Sequence, residues 1–282
     1  MAIITFMSDF GTTDHYVAAV KARMMAIRTD QMIVDISHHI EHFNIAHGSF
    51  VLGNVFREFP EGSVHLVAVH ATGNLGEPYI AIKMEGHYFV GTDNGLLGLI
   101  SEKEPDEIVI LGHTEEEKQL ARNTTFPARD ILAPAAALLA QGTPLSSLGE
   151  PTQYFNRMIP RKPRLSKQLI AGHIIHIDHY GNLVTNIVQH EFEQLVTDKF
   201  RIKLGREQIN KIHKTYNLVD AGELFAVFNS IGLLEIGVHS GHAAELLGME
   251  YDSPILVHIA TVDEGDSMLK DSTRNRGLRR SF

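Results

Sequence analysis

The sequence predicts an α/β N-terminal domain, a mostly parallel sheet with flanking helices, followed by a smaller all-β C-terminal domain, either a barrel or a sandwich. Three observations carry that expectation. Between Ile3 and Ala140, short β-branched runs alternate with helically spaced apolar segments, the grammar of a sheet joined by crossover helices. A Pro-punctuated, basic stretch from Pro151 to Pro163 then reads as a linker. Beyond it come short β patterns at the spacing of a small barrel or sandwich. With 282 residues there is room for two ordinary domains. The expected divisions are 1–165, 166–262 and a flexible tail over 263–282.

Ile3 to Phe6 is apolar and β-branched and runs into polar Ser8-Asp9-Phe10-Gly11-Thr12-Thr13-Asp14, so a buried strand should open into a loop. Tyr16 to Ile27 carries apolar residues at helical spacing, with Asp14 placed to cap it. The pattern repeats with Met32 to Ile36 as strand and Ile45 to Phe56 as helix. Val64 to Val69, Tyr79 to Met84 and His87 to Val90 read as further strands, and Ile131 to Ala140, rich in Ala and Leu, as the closing helix. Ligands of such sheets sit beyond the carboxyl ends of the strands, so the loops beginning at Ser8, Ser37 and His70 should face one crevice. In the second half the expected strands are Leu169 to Ile177, Leu183 to Val188, Phe200 to Leu204, Leu224 to Phe228, Leu233 to Val238 and Ile255 to Ile259.

Composition narrows the function. With 34 acidic against 25 basic residues the formal charge is -9, which leaves too little Lys/Arg surface for a nucleic-acid footprint and favours small-molecule partners. The four arginines between Arg274 and Phe282 read as part of a solvated tail. The absence of Cys excludes disulfides, thiolate metal sites and thiol catalysis, and fits a cytoplasmic location. No apolar run approaches the roughly 18 residues of a membrane span, and the first residues lack signal-peptide features, so no membrane partner is expected.

Each motif has two readings when taken alone. Asp9 is suited to gripping vicinal ribose hydroxyls but equally fits a turn, and Asp14 fits a helix cap. Neither a G-x-G-x-x-G fingerprint nor a P-loop is present. Asp35, His38, His39, His42 and His47 could suggest a metal-dependent hydrolase, yet there is no H-E-x-x-H, and zinc takes three or four ligands braced by outer partners. No metal and no other cofactor is expected. Ile177-Asp178-His179-Tyr180-Gly181-Asn182-Leu183-Val184-Thr185-Asn186-Ile187 and Phe228-Asn229-Ser230-Ile231-Gly232-Leu233-Leu234-Glu235-Ile236 each read as strands joined by a polar turn.

In combination and in this order the motifs are specific. Asp9 to Asp14, Asp93-Asn94-Gly95-Leu96-Leu97, Phe126-Pro127-Ala128-Arg129-Asp130, Ile177 to Ile187 and Asn229 to Ile236 resemble the family of S-adenosylmethionine (SAM) hydroxide adenosyltransferases and SAM-dependent fluorinases and chlorinases, over residues 3 to about 260. The resemblance implies SAM, or its product adenosine, as ligand, and a homotrimer that binds SAM between the N-terminal domain of one subunit and the C-terminal domain of the next. It implies that Asp9 holds the ribose hydroxyls and that Phe43 packs on the ribose side. Asp14, Asp178 and Ser230 would bind the methionine amine and carboxylate, while Tyr180, Asn182 and the backbone near Ser240 frame adenine.

The sequence departs from the family at the nucleophile. Hydrolases of this kind use an Asp, an Arg seven residues later and a His at the start of the later helix. Here those positions hold His70, Glu77 and Pro127. His70-Ala71-Thr72-Gly73 and Pro127-Ala128 do not match the halogenase loops either. His70 as a base oriented by Glu77 would restore a water-activating pair, and both also read as surface loop residues. Three functions follow from the resemblance: hydrolysis of SAM to adenosine and methionine by displacement at C5′, transfer of a halide or another nucleophile, or SAM or adenosine binding with little or no catalysis.

Overall fold

The computed structural model describes residues 2–74, 76–196 and 199–259, and the expected tail over 263–282 lies outside the described residues. Two compact units meet between Pro160 and Arg161, within the Pro-punctuated stretch.

In the first unit β1 (Ile4–Ser8), β2 (Ile33–Ser37), β3 (Val64–Ala68), β4 (Tyr79–Met84), β5 (His87–Thr92), β6 (Glu107–Leu111) and β7 (Gly149–Pro151) form one sheet in the order β2-β1-β3-β5-β4-β6-β7. Pairing is parallel from β2 through β1 and β3 to β5 and antiparallel from β5 through β4 and β6 to β7. The sheet is therefore mixed, which corrects the mostly parallel expectation. Met84 pairs with His87 across Glu85-Gly86, whose φ angles are 52° and 79°. So short a link closes an antiparallel hairpin, whereas parallel neighbours need a crossover of about a dozen residues.

The helices are α1 (Tyr16–Ile27), α2 (Ile45–Gly53), α3 (Leu96–Leu99), α4 (Glu115–Asn123) and α5 (Ala133–Ala140). Asp14 does not cap α1: His15 takes that position, no side chain bonds the first turn, and Asp14 is exposed. Asn44 does cap α2, its Oδ1 accepting the His47 N–H at 2.9 Å. A wide π turn, Ala128–Leu132, leads into α5. Strand alternation sends Phe6 and Val90 to a core shared with Val20, Met24 and Ala136 of α1 and α5, and Met7 and Phe89 to a second core with Leu52 of α2 and Leu96 of α3.

In the second unit β8 (Arg164–Leu165), β9 (Leu169–Ile177), β10 (Leu183–Val188), β11 (Phe200–Leu204), β12 (Glu207–Ile209), β13 (Leu224–Phe228), β14 (Leu233–Val238) and β15 (Pro254–Ile259) form an antiparallel sheet. The order is β12-β11-β15-β9-β10-β14-β13, with β8 on β9. His213 N–H donates to Ala226 O at 2.7 Å, so the chain after β12 returns to β13 and the sheet nearly closes into a barrel. α6 (Gln189–Leu195) follows β10, and α7 (Ala243–Leu247) follows β14. Leu234, Ile236 and Val238 of β14 point into the barrel core with Ile174, Leu183 and Val257. The alternate residues Glu235 and Gly237 therefore face outward.

Candidate functional site

The carboxyl ends of β1, β2 and β3 lie side by side because these strands are parallel, and their three loops meet at Asp9. Asp9 Oδ2 accepts the backbone N–H of Phe43 and that of His70, each at 3.0 Å. Both donors sit in the left-handed region, with φ of 62° and 48°, a conformation that non-glycine residues hold only when the surroundings enforce it. The carboxylate holds both N–H groups, and the His70 carbonyl is in turn held by the Gly73 N–H at 2.9 Å. Asp9 is 6% exposed, and among the described residues its Oδ1 accepts no hydrogen bond. The Phe43 ring, largely exposed, stands edge-on to the His70 ring at 5.3 Å. Asn94 braces the third loop from behind: its Nδ2 donates to Val69 O at 3.0 Å while its Oδ1 accepts the Leu96 N–H at 3.2 Å.

Behind this junction runs a polar chain. Ser8 Oγ lies 2.7 Å from His38 Nδ1, His38 Nε2 lies 3.2 Å from Asp35 Oδ1, and Lys21 Nζ donates to Asp35 Oδ2 at 2.6 Å. Burial pushes the His38 pKa down, so the ring is neutral near pH 7. The His38 carbonyl also accepts the Gly11 N–H at 2.7 Å, tying the second loop to the first. The histidines that suggested a metal are thus distributed over separate partners: His39 faces Thr12 at 3.4 Å, and His47 Nδ1 accepts the Glu41 N–H at 3.2 Å. Among the described residues no group of three or more His, Cys, Asp or Glu is arranged to hold a metal ion.

Glu77 does not hydrogen-bond His70. Its two oxygens accept the Asn74 backbone N–H and the Asn74 Nδ2, each at 2.8 Å, and so fold its own loop. Pro127 precedes the π turn beside Phe126, whose ring packs against Phe10 at 6.0 Å and Tyr16 at 5.3 Å.

The second unit carries a cleft of about 640 Å³ lined by Asp178, Tyr180, Asn182 and Ser240 together with Tyr216 and Phe225. Asp178 organises the β9–β10 turn: Oδ1 accepts the N–H groups of Tyr180 and Asn182 at 2.9 and 2.8 Å, and Oδ2 accepts Asn182 Nδ2 at 3.0 Å. That last bond orients the Asn182 amide and directs its Oδ1 towards Gly237. A side chain at Gly237 would overlap Phe225 and Asn182, so the glycine keeps the cleft open. Tyr216 meets Phe225 edge-on at 5.4 Å, and Tyr180 is 77% exposed at the rim. Beneath them Glu235 is buried and takes Asn229 Nδ2 at 2.9 Å. Burial raises its pKa, as does the neighbouring Asp178 carboxylate.

Ser230 is not part of this cleft. It is exposed in the β13–β14 turn, and the bond from Gln189 N–H to Gly232 O, at 2.8 Å, places that turn at the Val188 end of β10. Asp178 and Asn182 lie at the other end. Tyr216, Phe225, Glu235, His239 and His242 received no role from the sequence. Tyr216 sits in a stretch without periodicity, Phe225 reads only as strand, and nothing in a linear motif shows that Glu235 is buried.

These features describe a protein with a mixed α/β unit and a nearly closed, barrel-like β unit, with a carboxylate-centred loop junction in the first and an aromatic cleft in the second. Residues 4–149 match the SAM hydroxide adenosyltransferase N-terminal domain, and residues 172–256 match the SAM hydroxide adenosyltransferase C-terminal domain. The chain belongs to this family. It is 33% identical over 260 residues to an (R)-S-adenosyl-L-methionine hydrolase of Methanocaldococcus jannaschii, covering 88% of this chain and 93% of the relative. A fluorinase of Nocardia brasiliensis is 29% identical, with 79% and 85% covered. The crystal structure of an uncharacterised conserved protein from Thermotoga maritima superposes with a TM-score of 0.82 at 32% identity, covering 91% of this chain and all of that one. Among the described residues no helix is long and apolar enough to cross a membrane.

Proposed function

We propose that the protein hydrolyses SAM to adenosine and L-methionine. Water attacks C5′ of the ribose, the C5′–S bond breaks with its electron pair going to sulfur, and neutral methionine leaves as water loses its proton. The observation that carries this reading is the buried Asp9 carboxylate, whose Oδ2 accepts from two strained loops while Oδ1 accepts no hydrogen bond among the described residues; in this reading Oδ1 takes the ribose hydroxyls. The hydrolase name shared by relatives up to 33% identical supports water as the nucleophile.

Because a sulfonium is already a good leaving group, water needs positioning and desolvation more than a strong base. His70, held against Phe43, is the group of the junction that accepts the proton, and Glu77 serves by shaping the loop. Phe43 covers the ribose, Tyr180, Asn182 and Ser240 receive adenine in the aromatic cleft, and Asp14 and Asp178 serve the methionine end, with Ser230 approaching it from the β13–β14 turn, where the neighbouring Asn229 bonds the Glu235 that adjoins Asp178. No cofactor takes part. The homotrimer implied by the resemblance, and a cytoplasmic location, belong to the same proposal, and sedimentation checks the first.

The deciding experiment incubates the purified protein with SAM in chloride-containing and chloride-free buffers and identifies nucleosides by mass. Adenosine in both is the expected outcome. A 5′-halogenated nucleoside, or SAM returned intact despite measurable binding, would overturn hydrolysis.

A further inference from the structure

Two histidines of the cleft have no part in the reading above, and their ring protons are fixed by what they bond. His239 Nδ1 lies 2.7 Å from Val219 O. A carbonyl can only accept, so Nδ1 carries the proton and Nε2 of the neutral ring keeps a lone pair. His242 caps α7, its Nδ1 accepting the Glu245 N–H at 3.3 Å. There Nδ1 is the lone pair and Nε2 carries the proton. The His242 ring is seated over Gly181, where any side chain would overlap it, and Gly181 O accepts the Ala244 N–H at 3.0 Å. Both rings line one cleft, His239 bringing an acceptor nitrogen and His242 an N–H that lies 3.7 Å from the exposed Glu245 carboxylate, beyond hydrogen-bond reach.

We propose that His239 and His242 are the residues that select the base, reading a 6-aminopurine by its amino group and an adjacent ring nitrogen. Adenine pairs an N–H donor at C6 with acceptor nitrogens on either side, the complement of one acceptor and one donor. A 6-oxopurine places a carbonyl oxygen at C6, opposite the lone pair of His239, so its base leaves that group unpaired and repelled. Rejection of an analogue by a site built to hydrogen-bond a specific group is stronger than rejection by shape alone. Asn182 Oδ1, aimed at the same floor, adds a second acceptor and strengthens the preference in the same direction. The inference rests on the cleft being the nucleobase end of the SAM site.

The test titrates the full-length protein with adenosine and with inosine by calorimetry, for the wild type and for His239→Ala and His242→Asn. Asparagine keeps a capping oxygen for α7 while removing the imidazole donor. The wild type should bind adenosine roughly tenfold or more tightly than inosine. His239→Ala should bring that ratio below about threefold, and His242→Asn should lose roughly tenfold in adenosine affinity with its thermal midpoint nearly unchanged. Equal affinities in the wild type, which needs no variant, or wild-type preference in both variants would refute the assignment. The two levels separate through Gly237→Ala, which blocks the cleft. If that variant binds SAM normally, the cleft is not the base site; if it abolishes binding while adenosine and inosine bind the wild type alike, only the histidine assignment fails.

Discussion

Asp9 is the residue whose removal says most about how the loop junction is built. Its Oδ2 accepts two backbone N–H groups at 3.0 Å, and each donor residue is held at positive φ. Hydrogen bonds to a charged group contribute about 1.5–3 kcal/mol each, and a non-glycine residue in the left-handed region costs about 1–2 kcal/mol. The carboxylate thus offsets a strain of similar size. In Asp9→Ala the two loops lose their acceptor, and relaxation recovers part of the strain, leaving a destabilisation of about 3 kcal/mol. Asp9→Asn keeps an oxygen but loses its charge and should cost about 1–2 kcal/mol. The chain contains no Trp, so urea unfolding of the ligand-free protein is followed by circular dichroism. At a urea m-value of a few kcal/mol per molar, Asp9→Ala should lower the midpoint by about 1 M. Unfolding at the wild-type midpoint would show that Oδ2 does not hold the loops and that Asp9 acts on ligand alone.

Other substitutions test other parts of the site. Gly237→Ala should lose about 1–3 kcal/mol of stability, because the added methyl overlaps Phe225 and Asn182 and one of them must shift, and should reduce SAM affinity at least about tenfold; equilibrium binding on the folded variant checks it. His70→Asn preserves a residue type that tolerates positive φ but removes the imidazole, so kcat should fall roughly a hundredfold with KM little changed, as initial rates would show. Burial pushes His65 down to about 3. The unfolded chain therefore binds the extra proton between about pH 3 and 6.5, and stability rises with pH across that window, by up to about 5 kcal/mol, a dependence that His65→Gln should flatten in urea midpoints at pH 4 and 7. Burial raises the pKa of Glu235, so in the native state it stays protonated above 4.5, the ordinary value. Its contribution to stability falls as pH rises from there through its folded value, and Glu235→Gln should remove that loss in the same titration.

Much of this architecture is legible in the sequence where local chemistry decides it. The helical spacing from Tyr16 to Ile27 marks α1 because its buried residues Val20 and Met24 recur at the helical period. The antiparallel half of the first sheet was legible too, in Glu85-Gly86, a link too short for any crossover. So was α4, whose Thr114 and Glu117 form a reciprocal capping box, although its charged sequence offers no buried residue to announce it. The meeting of three loops was readable, because parallel strands must end on one edge.

What the sequence withholds is the assignment of atoms to tasks. Asp9 appears there as a ligand-binding carboxylate, yet half of it is consumed by the backbone of Phe43 and His70. Glu77 appears as the partner of His70, yet Asn74, three residues earlier, captures both its oxygens. Short-range partners win because closing a turn of a few residues costs little entropy, whereas aligning two side chains across a loop costs more. The same rule explains why His239 and His242 escaped notice: their tautomers are set by a carbonyl and an amide that no side-chain motif names. His70 is presented by the same Asp9 bond that holds its loop, so under the proposed hydrolysis Asp9→Ala should lower kcat as well as stability, which initial rates on the folded variant would check.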